Sequence, residues 1–460
     1  DEPAHYNYIA QVAAFGCCPV IEDGDWDNAY LETLKANQFA PDLLTNLPAV
    51  EYEDHQPPLY YLLLTPFYTL SNGSLTVLRI VTVFMALTVV LYTYIVTTLV
   101  MPNRRGVAFA AAAFVALLPQ FLGITGSVNN DALAWSLIGL ALIGALVYLR
   151  FERRGVGDEV GLGVLVGLAL VTKVSTIFLL GVVPVAILLR WLRQPSPPTP
   201  PSALHSVVPQ GEGRIGRRDG EDAKHDSSAP LHPRAPALKN LRSLLLRWVA
   251  FLIPALLIAG VWWGRNIVTY GFPDVFGLAA HDRVVVGQLR TADLIDQLGT
   301  GEYLSRAFTT TFQSFFGQLG WMSLPLPSWA YSAIGVLLLL AIGGWVVGWL
   351  ARERDSEPNP VQRDMALVLV LVGVLALAQY IYYNTEFVQF QGRYMFTGII
   401  AFALLVAGGM DGWLRWAEAR GVLSHYARLR PYALAALILL LVPLNLWLLW
   451  RVIPGLSPGI

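Results

Sequence analysis

The first sixty residues carry the side chains in this sequence that are best suited to acid–base chemistry. They hold eleven Asp or Glu residues against a single Lys or Arg, Lys35. Asp1-Glu2 opens this segment, and His55-Gln56-Pro57-Pro58-Leu59 closes it. Long apolar runs then follow almost to the end of the chain. A carboxylate-rich polar segment attached to an apolar body indicates a reaction centre at a membrane surface.

The composition indicates a membrane protein. The chain is 55% hydrophobic and 14% charged, which is too apolar for a soluble protein of this length. Several apolar runs exceed about eighteen residues, enough to cross about 30 Å of hydrocarbon as helices. The period-2 alternation of a β-barrel is absent. We therefore expect an all-α integral membrane protein that has the lipid bilayer as a partner, and nothing suggests nucleic-acid binding.

The apolar runs predict about ten spans. A segment at 57–70 is too short to cross and predicts a surface or re-entrant helix. The run at 160–192 is interrupted at Thr172-Lys173, so we expect two short helices that meet at Lys173. The chain starts at Asp1 without a Met or a basic leader, and we expect one spanning helix upstream. The predicted spans are 75–101, 106–122, 131–149, the two halves of 160–192, 241–263, 330–350, 364–383, 395–414 and 432–450.

The chain divides into four predicted regions. Residues 1–56 form an external catalytic loop with short interfacial helices, one of which presents Tyr6, Ile9, Ala10 and Ala13 on its apolar face. Adjacent Cα atoms about 3.8 Å apart are closer than the usual disulfide span, so we expect no bridge between the neighbours Cys17 and Cys18. The other regions are transmembrane helices at 57–193, a disordered cytoplasmic linker at 194–240, and transmembrane helices at 241–460 with an external loop at 264–310.

Arginine clusters predict which loops are cytoplasmic. These clusters lie at 104–105, 150–154, in the linker, at 352–363 and at 415–430. The opposite, external side then receives the acidic first loop, the turn at 126–131, the Lys173 break and the loops at 264–310 and 384–393. A few cations oppose the charge bias on that side and are functional candidates: Lys173, Arg265, Arg283, Arg290, Arg306 and Arg393.

External carboxylates combined with isolated external cations favour one reaction, the transfer of a group from a lipid phosphate to a hydroxyl or amine. A carboxylate can take the proton of the acceptor. Cations can hold the phosphate and stabilise the charge that develops on it as it leaves. The apolar body would hold the lipid tail.

Several motifs resemble the GT-C superfamily of membrane glycosyltransferases. Asp1-Glu2 followed by His55-Gln56-Pro57-Pro58-Leu59 looks like the Asp-Glu and His-Pro-Pro-Leu motifs of protein O-mannosyltransferases and aminoarabinose transferases, with Gln56 inserted. The run Gly167-Leu168-Ala169-Leu170-Val171-Thr172-Lys173 is similar to their Gly-Leu-Ala-x-x-Thr-Lys. Three further motifs look closer to an uncharacterised bacterial group of the same superfamily: Asn129-Asn130-Asp131-Ala132-Leu133, Phe316-Gly317-Gln318-Leu319-Gly320-Trp321 and Gln391-Gly392-Arg393-Tyr394.

This resemblance implies a GT-C-type multi-spanning helical bundle in the cytoplasmic (inner) membrane of a bacterium, with its active site facing outside. The implied donor is a polyprenyl-phosphate-linked sugar, the acceptor is a glycan, lipid or protein, and the transfer is an inverting single displacement. The first-loop Asp of the family is the base, which maps onto Asp1, with Glu2 as its partner. The candidate substrate contacts are His5, His55, Asn130, Asp131, Lys173, Arg265, Arg393 and Tyr394.

Other interpretations of these residues stay open. Asn130 and Asp131 are also good N-cap residues, Lys173 can be an interfacial lysine, and Arg265 can belong to an aromatic belt. The aromatic stretch 308–321 suits either packing or sugar stacking. No His or Cys cluster has metal-ligand spacing, so we expect no certain cofactor; a divalent cation at the acidic loop stays open, since some members of the superfamily use one.

The rival functional class is a transporter or flippase of lipid-linked sugars. Transporters usually show internal repeats and helices that are broken at mid-membrane. This sequence shows no repeat, and its polar residues cluster at one surface. The prediction is therefore a glycosyltransferase.

Overall fold

The computed structural model is built from helices and one short hairpin, which confirms the all-α prediction. The hairpin pairs β1 (Gln318–Leu319) with β2 (Leu324–Pro325). The predicted linker at 194–240 lies outside the residues that the structure describes. Those residues are 1–37, 39–151, 155–193, 241–350, 359–421, 434, 438–439 and 441–452.

The acidic first segment folds into helix α1 (Glu2–Phe15), helix α2 (Asn28–Ala36) and a 3₁₀ helix at Pro41–Ala49. Asp27 caps α2, since its Oδ1 accepts the Tyr30 N–H at 3.0 Å. The neighbours Cys17 and Cys18 are bonded to each other, so the prediction of no bridge between them was wrong.

Helix α1 packs against helix α3 (Leu59–Leu70). The predicted apolar face of α1 was wrong, because Ala13 is exposed while His5 and Tyr8 are buried. The structure buries these two polar side chains because each has a hydrogen-bond partner, which an apolar pattern does not reveal. Helix α1 is therefore part of the folded first segment, residues 2–49, which we call the cap.

Helices α3 to α7 follow the predicted order with one change. Helix α3 has 12 residues, too few to span, and α4 (Leu75–Val100) spans as predicted. The predicted span at 106–122 is instead a pair of helices, α5 (Arg105–Leu117) and α6 (Pro119–Thr125), bent by 58°. Pro119 lacks an N–H for the helical ladder, so the chain bends there. Helix α7 is Asp131–Arg150.

The break predicted at Lys173 is confirmed. Helix α8 (Gly157–Leu170) ends before it, and a 3₁₀ turn at Val174–Phe178 leads into α9 (Leu179–Arg193). Helix α8 is 14 residues long, which corresponds to about 21 Å and is short for a full crossing. The backbone between the two helices therefore places Lys173 at a chain interruption.

The segment 264–310, predicted as an external loop, is mostly helical, which the sequence analysis did not predict. Helix α10 (Leu241–Tyr270) continues seven residues beyond the predicted end of its span, so Arg265 lies on a helix. Three shorter helices follow, and between the first and the second of them an isolated antiparallel bridge pairs Arg290 with Phe387. Those helices are α11 (Leu278–Val284), α12 (Thr291–Leu298) and α13 (Thr300–Phe316).

The last part of the described chain contains α14 (Ser328–Leu350), α15 (Pro360–Tyr383), a 3₁₀ helix at Gly392–Gly398, α16 (Ile399–Ala419) and α17 (Leu441–Trp447). Seven helices of the described chain are long and apolar enough to span, or eight if the bent pair counts as one. The prediction of about ten spans was higher because it included the short α8 and the run at 432–450, of which the structure describes a part.

Helices α14 and α16 approach each other through glycines. A Cβ atom at Gly344, Gly409 or Gly412 would meet a backbone carbonyl of the facing helix. Small residues at such a crossing let two backbones pack closely inside a membrane. This contact fixes α16, which follows the 3₁₀ helix that carries Arg393.

At the arginine-rich end of the helices, buried carboxylates pair with arginines from other helices. Glu159 on α8 is fully buried, and buried charges of this kind need a partner. Each pair joins two elements that are distant in the sequence. The pairs are Arg104–Asp411 at 2.5 Å, Arg193–Asp364 at 2.9 Å and Arg247–Glu159.

Candidate active site

Asp1 and Arg393 form an ion pair, although they are 392 positions apart in the sequence. The Arg393 guanidinium donates to Asp1 Oδ2. Asp1 Oδ1 accepts two further hydrogen bonds, from the Tyr52 hydroxyl at 2.9 Å and from Trp321 Nε1 at 2.9 Å. The two residues that the sequence placed on one membrane face are therefore in direct contact.

Arg393 is held in place by the backbone around it. It is 8% exposed and lies on the 3₁₀ helix Gly392–Gly398. Gly392 lets this helix approach α13, because a Cβ there would meet the Phe315 backbone. Arg393 Nε is buried and has no hydrogen-bond partner. A buried guanidinium with an open N–H is suited to bind an anion oxygen.

Lys173 binds the residues that precede and begin α7. Its Nζ donates to Asn130 Oδ1 at 2.9 Å and to Asp131 Oδ1 at 2.7 Å. Asn130 occupies the N-cap position of α7, but its side chain makes no capping bond; the Asn129 side chain instead accepts the Asp131 N–H at 2.8 Å. The charge of Asp131, which binds Lys173, also acts on Arg393. The Lys173–Asp131 pair and the Asp1–Arg393 pair are therefore electrostatic neighbours.

His5 connects to this cluster through a tyrosine. His5 Nδ1 lies 2.8 Å from the Tyr61 hydroxyl, to which Asn130 Nδ2 also donates at 3.4 Å. Burial lowers the pKa of His5 well below its usual value, and the charge of Lys173 lowers it further. A neutral imidazole is therefore expected at this position at physiological pH.

His55 and Gln56 form the other side of the same cluster. His55 Nδ1 lies 3.1 Å from the Tyr52 carbonyl oxygen, and its ring lies 4.5 Å from the ring of His281. Burial lowers the pKa of His55 well below its usual value. The inserted Gln56 contacts both His55 Nε2, at 3.3 Å, and the Asn130 side chain, at 3.4 Å. The insertion therefore contributes a contact to the site.

Glu2 and Arg265 have partners outside the Asp1–Arg393 contact. Glu2 accepts hydrogen bonds from Arg79 Nε and from the Val128 N–H, both at 2.8 Å, and so ties α1 to α4 and to the turn before α7. Arg265 donates to the Cys18 carbonyl at 3.1 Å and stacks over Trp262 at 4.8 Å. Both residues hold the first segment against the helices. Tyr394 lies within 5.4 Å of the Arg393 guanidinium.

Sequence reasoning missed several residues that contact the site. Trp321 is aimed at Asp1 by a turn in which Gly320, Trp321 and Met322 all have positive φ values of 56°, 48° and 66°. Such values are uncommon for residues other than glycine and often accompany functional positions. Tyr52 and Tyr61 were also missed, and Gln56 was noted only as an insertion, although all three lie in or beside the His55-Gln56-Pro57-Pro58-Leu59 motif.

An apolar cavity of about 650 Å³ lies between helices α13, α14, α15 and α16. Met395 lines it and is two residues from Arg393 on the same 3₁₀ helix. The stretch at 308–321 is therefore divided: Phe308, Phe312 and Phe315 line the cavity, whereas Trp321 contacts Asp1. Among the described residues, no group of three or more His, Cys, Asp and Glu side chains could hold a metal ion.

The fold and the site define a multi-pass integral membrane protein with a polar, charged cap over its helices. The chain belongs to the family described as "Predicted membrane protein (DUF2142)", whose model matches residues 48–403. The comparison with curated proteins gives no match. Among solved structures, the chain is similar to ArnT from Cupriavidus metallidurans bound to undecaprenyl phosphate, with 14% identity, 94% of this chain and 75% of that chain covered, and a TM-score of 0.38.

Proposed function

We propose that this protein transfers a sugar from a polyprenyl-phosphate donor to a glycan, lipid or protein acceptor at the outer face of a bacterial inner membrane. The observation that carries the proposal is the buried Arg393, which Asp1 orients and whose Nε has no partner. The GT-C-type motifs of the sequence also support it, because residues from separate motifs meet in the structure. Asp1 pairs with Arg393, Lys173 binds Asn130 and Asp131, and the charge of Asp131 acts on Arg393.

The donor phosphate would be bound by Arg393 and Lys173. Arginine keeps its charge and offers a fork of donors suited to phosphate oxygens. Lys173 has three N–H donors, two of which bind Asn130 and Asp131. The third is available for a phosphate oxygen. Together the two cations would stabilise the charge that develops on the phosphate when the sugar leaves.

The lipid tail of the donor would enter the apolar cavity. Its volume of about 650 Å³ falls within the usual range for ligand pockets, about 300–1,000 Å³. Leu304 and Phe308 on α13 line the cavity and are also exposed on the outside of the protein. An isoprenoid chain that enters there would bring its phosphate towards the end of the cavity that Met395 lines, near Arg393.

The test uses the full chain reconstituted in liposomes. The substrate is a polyprenyl-phosphate-linked sugar with a labelled sugar, and the measurement is the release of free polyprenyl phosphate. We expect turnover in the wild-type protein and inhibition by free polyprenyl phosphate, but not by the corresponding polyprenol. Movement of the labelled lipid across the bilayer without any release of polyprenyl phosphate would replace this proposal by the transporter.

A matched pair of variants tests the role of Arg393. Arg393→Lys keeps the charge but loses the planar set of guanidinium N–H donors, and we expect turnover to fall by about 10²-fold or more. Arg290→Lys is the control, because Arg290 lies in an exposed pair with Glu386 at 2.8 Å. The control should keep turnover within about twofold, as expected for an exposed ion pair. Equal activity of the two variants would remove Arg393 from the phosphate site.

A further inference from the structure

The carboxylate of Asp1 is already occupied by hydrogen-bond donors. It binds Arg393, Tyr52 and Trp321. Each of these bonds favours the ionised carboxylate, and all three must weaken when the group takes a proton. This arrangement suits a residue that positions the Arg393 guanidinium. It suits a proton acceptor less well.

Two neighbouring carboxylates, those of Glu53 and Asp54, each have a buried oxygen without a hydrogen-bond partner, Oε2 of Glu53 and Oδ1 of Asp54. The negative charge of Glu53 acts on four tyrosines, of which Tyr52 donates to Asp1 and Tyr394 lies beside Arg393. Burial raises the pKa of Tyr52 well above its usual value, and the charge of Glu53 raises it further while Arg393 lowers it. The four tyrosines are Tyr52, Tyr61, Tyr383 and Tyr394.

The other nearby carboxylates are less suitable proton acceptors. Asp131 pairs with Lys173 at 2.7 Å, and Glu2 pairs with Arg79. Asp54 accepts a hydrogen bond from Gln11 at 2.8 Å, and burial raises the pKa of Asp54 to about 8. Asp54 is therefore protonated at neutral pH and cannot accept a further proton there.

We propose that Glu53, and not Asp1, is the base that takes the proton of the acceptor. This inference rests on the proposed glycosyl transfer and assigns a residue to one step of it. The acceptor oxygen or nitrogen forms a bond to the anomeric carbon of the sugar while the bond from that carbon to the phosphate oxygen breaks. The acceptor proton passes to Glu53 Oε2, and polyprenyl phosphate leaves as an anion held by Arg393 and Lys173. Asp1 keeps the Arg393 guanidinium in position.

Three substitutions separate a base from a positioning residue. Glu53→Gln should lower kcat by about 10²–10⁴-fold, the usual contribution of a general base, with little change in KM for the donor. Asp1→Asn should raise KM for the donor as well, because Arg393 loses its orienting partner. Glu51→Gln, the same change two residues away, is the control and should leave both constants near wild type.

Chemical rescue provides a second readout that folding or positioning would not mimic. A small carboxylate such as formate should restore part of the turnover of Glu53→Ala, because it can occupy the vacated space and accept the proton. It should not restore Asp1→Ala. The thermal unfolding midpoint of each variant in detergent shows whether it folds, and a Glu53→Gln variant that fails to fold leaves the rescue of Glu53→Ala as the deciding measurement.

Two results would overturn this inference alone while the wild-type enzyme still transfers sugar. One is a kcat of Glu53→Gln within about threefold of wild type, far short of the loss expected for a base. The other is rescue by formate of Asp1→Ala but not of Glu53→Ala, which would return the base to Asp1. Absence of any transfer by the wild-type protein would reject the proposed function itself, and the assignment of Glu53 with it.

Discussion

The contribution of Lys173 to folding stability can be measured separately from its contribution to donor binding. Its Nζ binds Asn130 and Asp131, and the Lys173 and Asp131 side chains are 17% and 9% exposed. Lys173→Met removes the cation but keeps much of the side-chain length, so Asp131 is left as a buried charge without its partner. Breaking a buried pair in this way costs about 3–5 kcal/mol, and the partial exposure of Lys173 places this case near the lower value.

The double variant Lys173→Met/Asp131→Asn removes the uncompensated charge. We expect it to recover most of the lost stability, to within about 1 kcal/mol of wild type, the worth of an ordinary hydrogen bond. It should not recover donor affinity, because the N–H available to the phosphate is still absent. Loss of one charged hydrogen bond, about 1.5–3 kcal/mol, predicts a rise in the donor KM of about 10- to 150-fold.

The measurements are the thermal unfolding midpoint in detergent and the KM for the polyprenyl-phosphate sugar. Lys35→Met is the control for stability only, because Lys35 pairs with Glu32 where the two side chains are 32% and 60% exposed, but its Nζ also lies 5.1 Å from the ring of Trp321. That substitution should change stability by no more than about 1 kcal/mol. Recovery of both stability and KM in the double variant would show that Lys173 only supports the fold. A stable Lys173→Met protein with normal KM would instead make it an interfacial lysine.

Three further predictions follow from the described residues. Burial raises the pKa of Asp54 from 3.8 to about 8, so the folded state holds a proton that the unfolded state releases between these pH values. Asp54 therefore makes stability fall as pH rises through this window, and Asp54→Asn should reduce the fall in unfolding midpoints measured above the usual histidine pKa of about 6.5, where His5 and His55 no longer titrate in the unfolded chain. Gly409→Ala should lower the midpoint, because the new Cβ meets the Ala341 carbonyl, whereas Gly260→Ala, with nothing within 4 Å, should not. In a protein whose native cysteines are replaced by serine, a membrane-impermeant thiol reagent added outside intact cells should label Glu302→Cys and not Asn103→Cys; the reverse pattern would invert the predicted orientation.

Apolar run length predicted the fold well, because a bilayer imposes helices of a limited length on any apolar run. The interruption at Thr172-Lys173 was also visible, since polar residues in such a run have to find a partner or a chain break. The bend at Pro119 and the extension of α10 to Tyr270 were not predicted. Both depend on local backbone hydrogen bonding and on contacts with the cap, which hydropathy does not describe.

The candidate site was predicted as a set of residues on one face, but their partners were not. External cations stood out because they oppose the charge bias of the loops, and this signal led to Arg393 and Lys173. Tyr52 and Trp321 gave no such signal, because aromatic residues at a membrane surface usually pack or anchor. His5 and Tyr8 were missed as buried residues of α1, since their burial depends on hydrogen bonds to Tyr61 and to the Gln56 carbonyl.

The ion pairs at the arginine-rich end have a consequence for how the chain is assembled. While the chain is inserted, each arginine is still without the carboxylate that it later binds, so it carries a full charge that resists translocation and orients its helix. When the helices pack, Arg193 meets Asp364 and Arg247 meets Glu159. The arginine charge therefore acts twice: it first sets the orientation of its own helix, and it then forms an ion pair with a helix from a distant part of the sequence. A substitution at Glu159 or Asp364 would leave orientation intact and affect only this second stage, so its product should be a correctly oriented but loosely packed bundle.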